Sequence, residues 1–318
     1  MSSPLTLRLG TRGSALALWQ ARTVAARVAE SGGGTCEIVV IKTSGDRLQD
    51  APLSEIGGKR LFVKEIEDAL LRDEADLAVH SSKDLPALLP DGLVVAGTLP
   101  REDPLDAVVL PHRGGGAARC ESLEALIASL GQKPSIGTGS VRRIAQLARL
   151  FPGARFTPIR GNLDTRLRKL DEGEHHALVL AAAGLKRLGF ADRISFALPA
   201  AACVPAPGQG IVAIETRIGA AAERVVRAIG DADAMTMLDA ERAVVDALGG
   251  GCQMPLGALA TIQGGDVEIV ATVIALDGSR SIRASARGPR QDAAAIGRRA
   301  AEDLLAQGAG EILGSHQP

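Results

Sequence analysis

The feature that most constrains this chain is an alternation of short apolar strand, small-residue turn and helix, run through twice. Leu5 to Leu9 alternates like a strand and stops in Gly10-Thr11-Arg12-Gly13-Ser14. Ser14 is placed to cap a helix running from Ala15 to Ala29. Glu37 to Ile41 reads as a second strand, and Gly57-Gly58-Lys59-Arg60 precedes a helix from about Leu61 to Arg72. Leu77 to Val79 is a short apolar strand leading into His80-Ser81-Ser82-Lys83-Asp84; Leu93 to Ala96 and Ala107 to Leu110 are further strands. Such alternation implies a mainly parallel sheet with helices on both faces. Ligands of these sheets bind beyond the carboxyl ends of the strands, where residues 10–14 and 80–84 lie.

The plan recurs after the glycine run Gly114 to Gly116. Ser135 to Ser140 gives a strand and turn, and Arg142 and Arg143 open a helix that reaches Phe151. The strand Arg155 to Ile159 leads through Arg160-Gly161-Asn162 into a helix carrying Arg166 and Arg168, then the strand Ala177 to Leu180 and the run Ala183 to Arg187. Pro205 to Gly210 reads as a hinge, and Ile211 to Glu215 as a strand able to return to the first sheet. From Asp233 the plan changes to a helix, three strands joined by Gly264-Gly265 and Asp277-Gly278, and a helix over about 292–306. The expected division is 1–105, completed by about 207–228, then 106–204, then a small α+β unit over 229–318.

The helix from Asp233 ends in Leu248-Gly249-Gly250-Gly251-Cys252. Three glycines cannot extend it, so Cys252 is expected on a tight, exposed turn. A free cysteine is ordinarily a small buried hydrophobe; a thiol on a bare loop is open to covalent chemistry. Cys36, Cys120, Cys203 and Cys252 form no CxxC pair, which argues against structural zinc. The start of the chain lacks the apolar run of a signal peptide and no segment is long enough to span a bilayer, so a cytoplasmic protein is expected. A net charge of −1 gives no global field for nucleic acid or membranes, and 2% aromatic residues argue against base stacking. Local anion binding fits the arginines better.

Gly10 to Ser14 and Gly137 to Arg143 share one design. A small-residue turn presents backbone N–H groups at a helix start, and arginines beside it add planar forks for carboxylate or phosphate. A capped helix with solvated arginines reads as plainly for either motif alone. The second could also imitate a dinucleotide loop, although it is not a full GxGxxG. Asp84, at a strand's carboxyl end, is a turn residue or a cation-stabilising carboxylate. A two-lobed binding protein without catalysis shares the plan, yet needs neither the third unit nor a displayed Cys252.

Taken together the motifs resemble the porphobilinogen deaminase family, also called hydroxymethylbilane synthases. The matching stretches are TRGSALALWQ from Thr11, GGKRLFVKEIEDALL from Gly57, AVHSSKDLP from Ala78, GTGSVRR from Gly137, IRGNLDTRLRKLD from Ile159, AAGLKRLG from Ala182, PAPGQG from Pro205 and GGGCQMPLGA from Gly249. Gly139 and Ala206 are mild departures within them. The resemblance implies two lobes like those of type II periplasmic binding proteins and a third domain carrying the cysteine. It implies a transferase of tetrapyrrole biosynthesis that condenses four porphobilinogen molecules into hydroxymethylbilane, working as a monomer with no metal. It further implies a dipyrromethane cofactor in thioether linkage to Cys252, with Asp84 catalytic. Arg12, Ser14, Lys83, Ser140, Arg142, Arg143, Arg160, Arg166 and Arg187 match the family's carboxylate-binding positions. Substrate carboxylates entering a cleft need such partners, because burying them bare is prohibitive.

Overall fold

A computed structural model describes residues 5–47, 63–112, 118–249 and 254–314. The segment containing Gly57 to Arg60 and the attachment candidate Cys252 lie outside these residues. In chain order the first half gives β1 (Thr6–Thr11), α1 (Ala15–Glu30), β2 (Thr35–Val40), α2 (Ser44–Arg47), α3 (Lys64–Leu71), β3 (Leu77–Ser81) and β4 (Leu93–Thr98). The next stretch gives β5 (Asp106–Val109), α4 (Leu123–Leu130), β6 (Ser135–Gly137), α5 (Val141–Leu150), β7 (Arg155–Thr157), α6 (Leu163–Asp171), β8 (Ala177–Ala181), α7 (Ala182–Arg187) and β9 (Phe196–Leu198). Then come β10 (Val212–Arg217), α8 (Ala221–Ile229), α9 (Ala232–Ala247), β11 (Leu256–Gln263), β12 (Asp266–Ile274), β13 (Ser281–Pro289), α10 (Ala293–Ala306) and α11 (Ala309–Gly314).

Two five-stranded sheets share one order, β2-β1-β3-β10-β4 and β7-β6-β8-β5-β9. In each, one strand runs against the rest: β10 is antiparallel to β3 and β4, and β5 is antiparallel to β8 and β9. The reversed strands are the two that arrive from the other half. The chain therefore crosses between sheets twice, over 99–105 and 199–211, as expected of type II lobes. Helices cover both faces, so the strands bury apolar residues on both sides: Leu7, Leu9, Leu77 and Val79 pack with α1 and α8, whereas Ala78 meets Ile66 and Leu70 of α3. Each fully buried leucine or isoleucine contributes roughly 1.5–3 kcal/mol.

The third sheet, β11-β12-β13, is antiparallel throughout. One face is buried by α9 and α10 through Val267, Ile269, Ile282 and Ile296, and β13 alternates buried with exposed residues. That is the period-two pattern of a one-sided sheet. Helix starts follow the sequence signals. Ser14 accepts a hydrogen bond from Ala17 N, Ser140 caps α5 through Arg143 N, and Asn162 caps α6 through Thr165 N. α9 stops as expected: Gly249 sits at φ +64, just past its end.

Candidate functional site

The short 3₁₀ turn Ser82–Asp84 closes β3 and divides two concavities. The first, about 420 Å³, has Asp84 in its wall together with Arg12 and Ser14 from the β1–α1 turn. Both strand ends deliver their turns to one place because β1 and β3 are parallel neighbours. Gln20 Nε2 donates to Ser81 Oγ at 3.0 Å, fastening α1 to the end of β3. At the back of this pocket His80 Nε2 lies 3.1 Å from Glu215 Oε2, and both side chains are buried.

The second concavity, a cleft of about 640 Å³, lies on the other side of the same turn. Ser82, Lys83, Ser140, Arg142 and Arg242 supply its polar groups, while Leu85, Leu238, Val245 and Met254 make an apolar wall. The 3₁₀ turn thus sends adjacent residues to different pockets, Lys83 to one and Asp84 to the other. Lys83 Nζ donates to Gln209 Oε1 at 3.3 Å. Burial pulls this ammonium down to about 8, helped by Arg143 and opposed by Asp84 and Asp106.

Arg142 and Arg143 lie deeper than their place at a helix start implies. Both converge on Asp106, the first residue of β5, which is fully buried. Arg142 Nη1 and Nη2 donate to its two oxygens at 2.7 and 3.1 Å, and Arg143 Nε donates to Oδ1 at 2.9 Å. Gln209 Nε2 adds a bond at 2.9 Å and Cys203 Sγ another at 3.3 Å. Though burial alone would raise it, the two guanidiniums and these bonds hold the Asp106 carboxyl far below the usual carboxylate range. Gln209 joins the two lobes through its amide, since it also accepts from Lys83.

The remaining arginines line neither concavity. Arg166 Nε donates to Gly161 O at 2.8 Å, and burial together with Arg143 and Arg160 depresses its pKa. These three guanidiniums are therefore electrostatic neighbours. Arg187 Nη2 donates to Gly210 O at 2.7 Å, and its guanidinium lies 5.6 Å from the centre of the Trp19 ring on the other lobe. Gly210 is at φ +87, where a Cβ would fall 2.2 Å from Glu102 O. The two lobe crossings pass that closely only because a glycine is there.

The structure thus brings Lys83, Ser140 and Arg142 to one cleft and Arg12, Ser14 and Asp84 to the other. Arg143, Arg160, Arg166 and Arg187 stand apart from both linings. Asp106, Gln209, Arg242 and the Arg101–Glu241 pair were not singled out by sequence. Arg101 Nη1 meets Glu241 Oε1 at 2.6 Å, and Glu241 also accepts from Gly208 N and Ala260 N, tying the hinge to α9 and β11. Of the other cysteines, burial pushes the thiol of Cys203 up to about 12 and that of Cys36 up to about 11, so neither is poised as a nucleophile. Among the described residues no cluster of three metal-ligating side chains exists, and no helix is long and apolar enough to cross a membrane.

A family model described as "Porphobilinogen deaminase, dipyromethane cofactor binding domain" matches residues 7–224, and "Porphobilinogen deaminase, C-terminal domain" matches residues 235–306. The porphobilinogen deaminase of Bordetella parapertussis is 46% identical over 320 residues, covering 100% of this chain and 98% of its own. That of Acidithiobacillus ferrooxidans is 45% identical over 315 residues, covering 98% of each. Among solved structures, the VFT2 domain of Bordetella pertussis BvgS covers 70% of this chain and 86% of its own at 16% identity, with a TM-score of 0.41.

Proposed function

The chain belongs to the porphobilinogen deaminase family, a family of transferases with a dipyrromethane cofactor, and from that premise we propose that it condenses four porphobilinogen molecules head to tail into hydroxymethylbilane. The observation that carries the reading is the placing of Lys83 and Asp84 on opposite sides of one turn, so that a cationic, half-apolar cleft and a carboxylate pocket meet there.

The donor set of the larger cleft fits the cofactor. Pyrrole rings are flat and apolar and carry acetate and propionate groups; Leu85, Leu238 and Val245 suit the rings, and Lys83, Ser140 and Arg142 suit the carboxylates. Met254, two residues after Cys252, lines the same cleft, which supports Cys252 as the attachment point. When bound, dipyrromethane supplies the free pyrrole carbon from which the product is extended. Arg142 Nε is buried with no hydrogen-bond partner, leaving one donor unused on a guanidinium otherwise held by Asp106.

In the smaller pocket Arg12 and Ser14 are assigned to the carboxylates of the incoming porphobilinogen. Loss of ammonia from that molecule leaves a cationic azafulvenium. Asp84, at the pyrrole N–H, stabilises the cation and takes up the proton released once the new carbon–carbon bond has formed. Arg143, Arg160, Arg166 and Arg187 extend the carboxylate-binding surface for the longer chain. The test is the intact mass of the denatured, purified protein. A covalent dipyrromethane supports the reading, and its absence from protein active in releasing hydroxymethylbilane sinks the cofactor assignment.

A further inference from the structure

Arg242 stands near the end of α9, the helix that leads into the Cys252 segment. Its neighbour Glu241 is consumed by the hinge through Arg101 and Gly208. Arg242 points elsewhere. Nη2 donates to Ala87 O at 2.6 Å, in the segment that follows Asp84, and the side chain lines the larger cleft beside Lys83 and Ser140. Glu215, Asp239 and Asp246 act on it only from beyond ion-pair distance, so that among the described residues no carboxylate pairs with it. Burial holds its pKa below the ordinary arginine value.

The contrast with Arg142 is informative. Arg142 shares the cleft wall, but both its Nη atoms are taken by Asp106. Arg242 gives one hydrogen bond to a neutral carbonyl, and Glu215, Asp239 and Asp246 offset its charge only in part. A half-buried guanidinium with five donors and no carboxylate in contact is costly to hold unless an anion arrives. The cleft it faces has an apolar wall, so the fitting anion is a carboxylate on a flat apolar ring.

Building on the family reading above, we propose that Arg242 is a further carboxylate-binding residue of the primer cleft. It takes one carboxylate of the tethered pyrroles while its bond to Ala87 keeps the end of α9 against the segment after Asp84. The arrangement places the cysteine-bearing unit and the Asp84 turn on one ligand group.

The experiment compares wild type with Arg242→Gln and Arg242→Lys, each prepared without primer and then supplied with porphobilinogen. Glutamine keeps a donor for Ala87 O but not the charge; lysine keeps the charge. The readouts are the rate at which the dipyrromethane mass appears and the gain in Tm from primer-free to primer-bearing protein. Arg242→Gln is expected to acquire primer about tenfold or more slowly, the usual worth of a charged hydrogen bond. Its Tm gain is expected to be smaller and its primer-free Tm close to wild type, whereas Arg242→Lys recovers most of both. Wild-type rate and Tm gain in Arg242→Gln would overturn the proposal. So would a fall in primer-free Tm with an unchanged gain, which would make Arg242 a structural joint. Failure of the wild type itself to acquire the mass would sink the family-based cofactor reading instead, a separate outcome.

Discussion

Replacing Asp106 by asparagine should destabilise the primer-free protein by about 3–5 kcal/mol, the usual cost of leaving buried cations unpaired. The structure sets the size. Asp106 is fully buried and accepts four N–H bonds, two from Arg142, one from Arg143 and one from Gln209, besides the Cys203 thiol. Asparagine offers one oxygen where there were two, and its amide N–H₂ faces guanidinium donors in either orientation. Besides the one remaining amide oxygen, Arg142 and Arg143 would then keep Val204 O and Val179 O, with Cys203 Sγ and Gln209 Oε1 farther off at 3.6 and 3.5 Å, none of them a carboxylate. Urea unfolding of primer-free protein measures the loss. Arg142→Gln in the Asp106→Asn background should cost much less than Arg142→Gln alone, the signature of coupled groups. The pH dependence has a definite sign. The Asp106 carboxyl is depressed in the folded state, so its stabilisation is complete above the unfolded value near 4 and fades only as pH falls below that. The gap between wild type and Asp106→Asn should therefore be constant from pH 8 to about 5 and narrow in stronger acid. A loss under about 1 kcal/mol, or additive single and double changes, would refute the reasoning.

Lys83 titrates near 8 in the folded protein, below the usual lysine value, so its charge is present below pH 8 and lost above it. The rate at which primer-free protein acquires the dipyrromethane mass should fall above about pH 8 in wild type but not in Lys83→Arg, as read from intact mass across pH 7 to 9.5. On the stability side the depressed pKa is a cost below pH 8 that is relieved as pH rises toward the unfolded value. Asp84→Asn should retain the cofactor mass while hydroxymethylbilane release falls by two or more orders of magnitude, the scale of an acid–base group; near-normal release would remove Asp84 from the chemistry. Cys252→Ser should lack the adduct in intact mass spectra, whereas Cys203→Ser and Cys36→Ser should keep it. Arg187→Leu should change the emission of Trp19, the chain's sole tryptophan, since the guanidinium lies over its ring.

Local devices were the most legible part of the sequence. Ser14 and Ser140 cap the helices their spacing implies, and the glycine turns end where strands hand over to helices. The return of Ile211 to Glu215 to the first sheet was legible as well, but most of what depends on a distant partner was not. Arg142 and Arg143 read as open forks at a helix start, yet Asp106, on another strand, takes both. β9 has three residues and exists because it pairs with β5. α8 starts at Ala221 after Ala220, which offers no side-chain cap, so no start signal marked it. Ser122 caps α4 through Ala125 N, a local signal of the same kind as Ser14. Gln209 sits in a stretch that reads only as a hinge, and nothing local indicates that its amide joins Lys83 to Asp106.

The partners of the cations bear on how the cleft can work. Asp106 neutralises part of the Arg142–Arg143 pair and fixes it as a rigid floor. Other cations are held by neutral acceptors: Lys83 by Gln209 Oε1, Arg166 by Gly161 O, Arg187 by Gly210 O, Arg242 by Ala87 O. A carbonyl or amide oxygen orients a cation without cancelling its charge. Burial penalises each of the four, as their depressed pKa values record, and no acidic residue of the cleft offsets it in full. Charge held this way is available to a ligand without first breaking an internal ion pair, so little reorganisation opposes binding. On the proposed function, each porphobilinogen added brings two more carboxylates. A site whose cations were already paired with aspartate or glutamate would have to give up a salt bridge for each one. Cations held by neutral acceptors would instead accept successive carboxylates at positions already oriented, with the penalty met in folding before the substrate arrives.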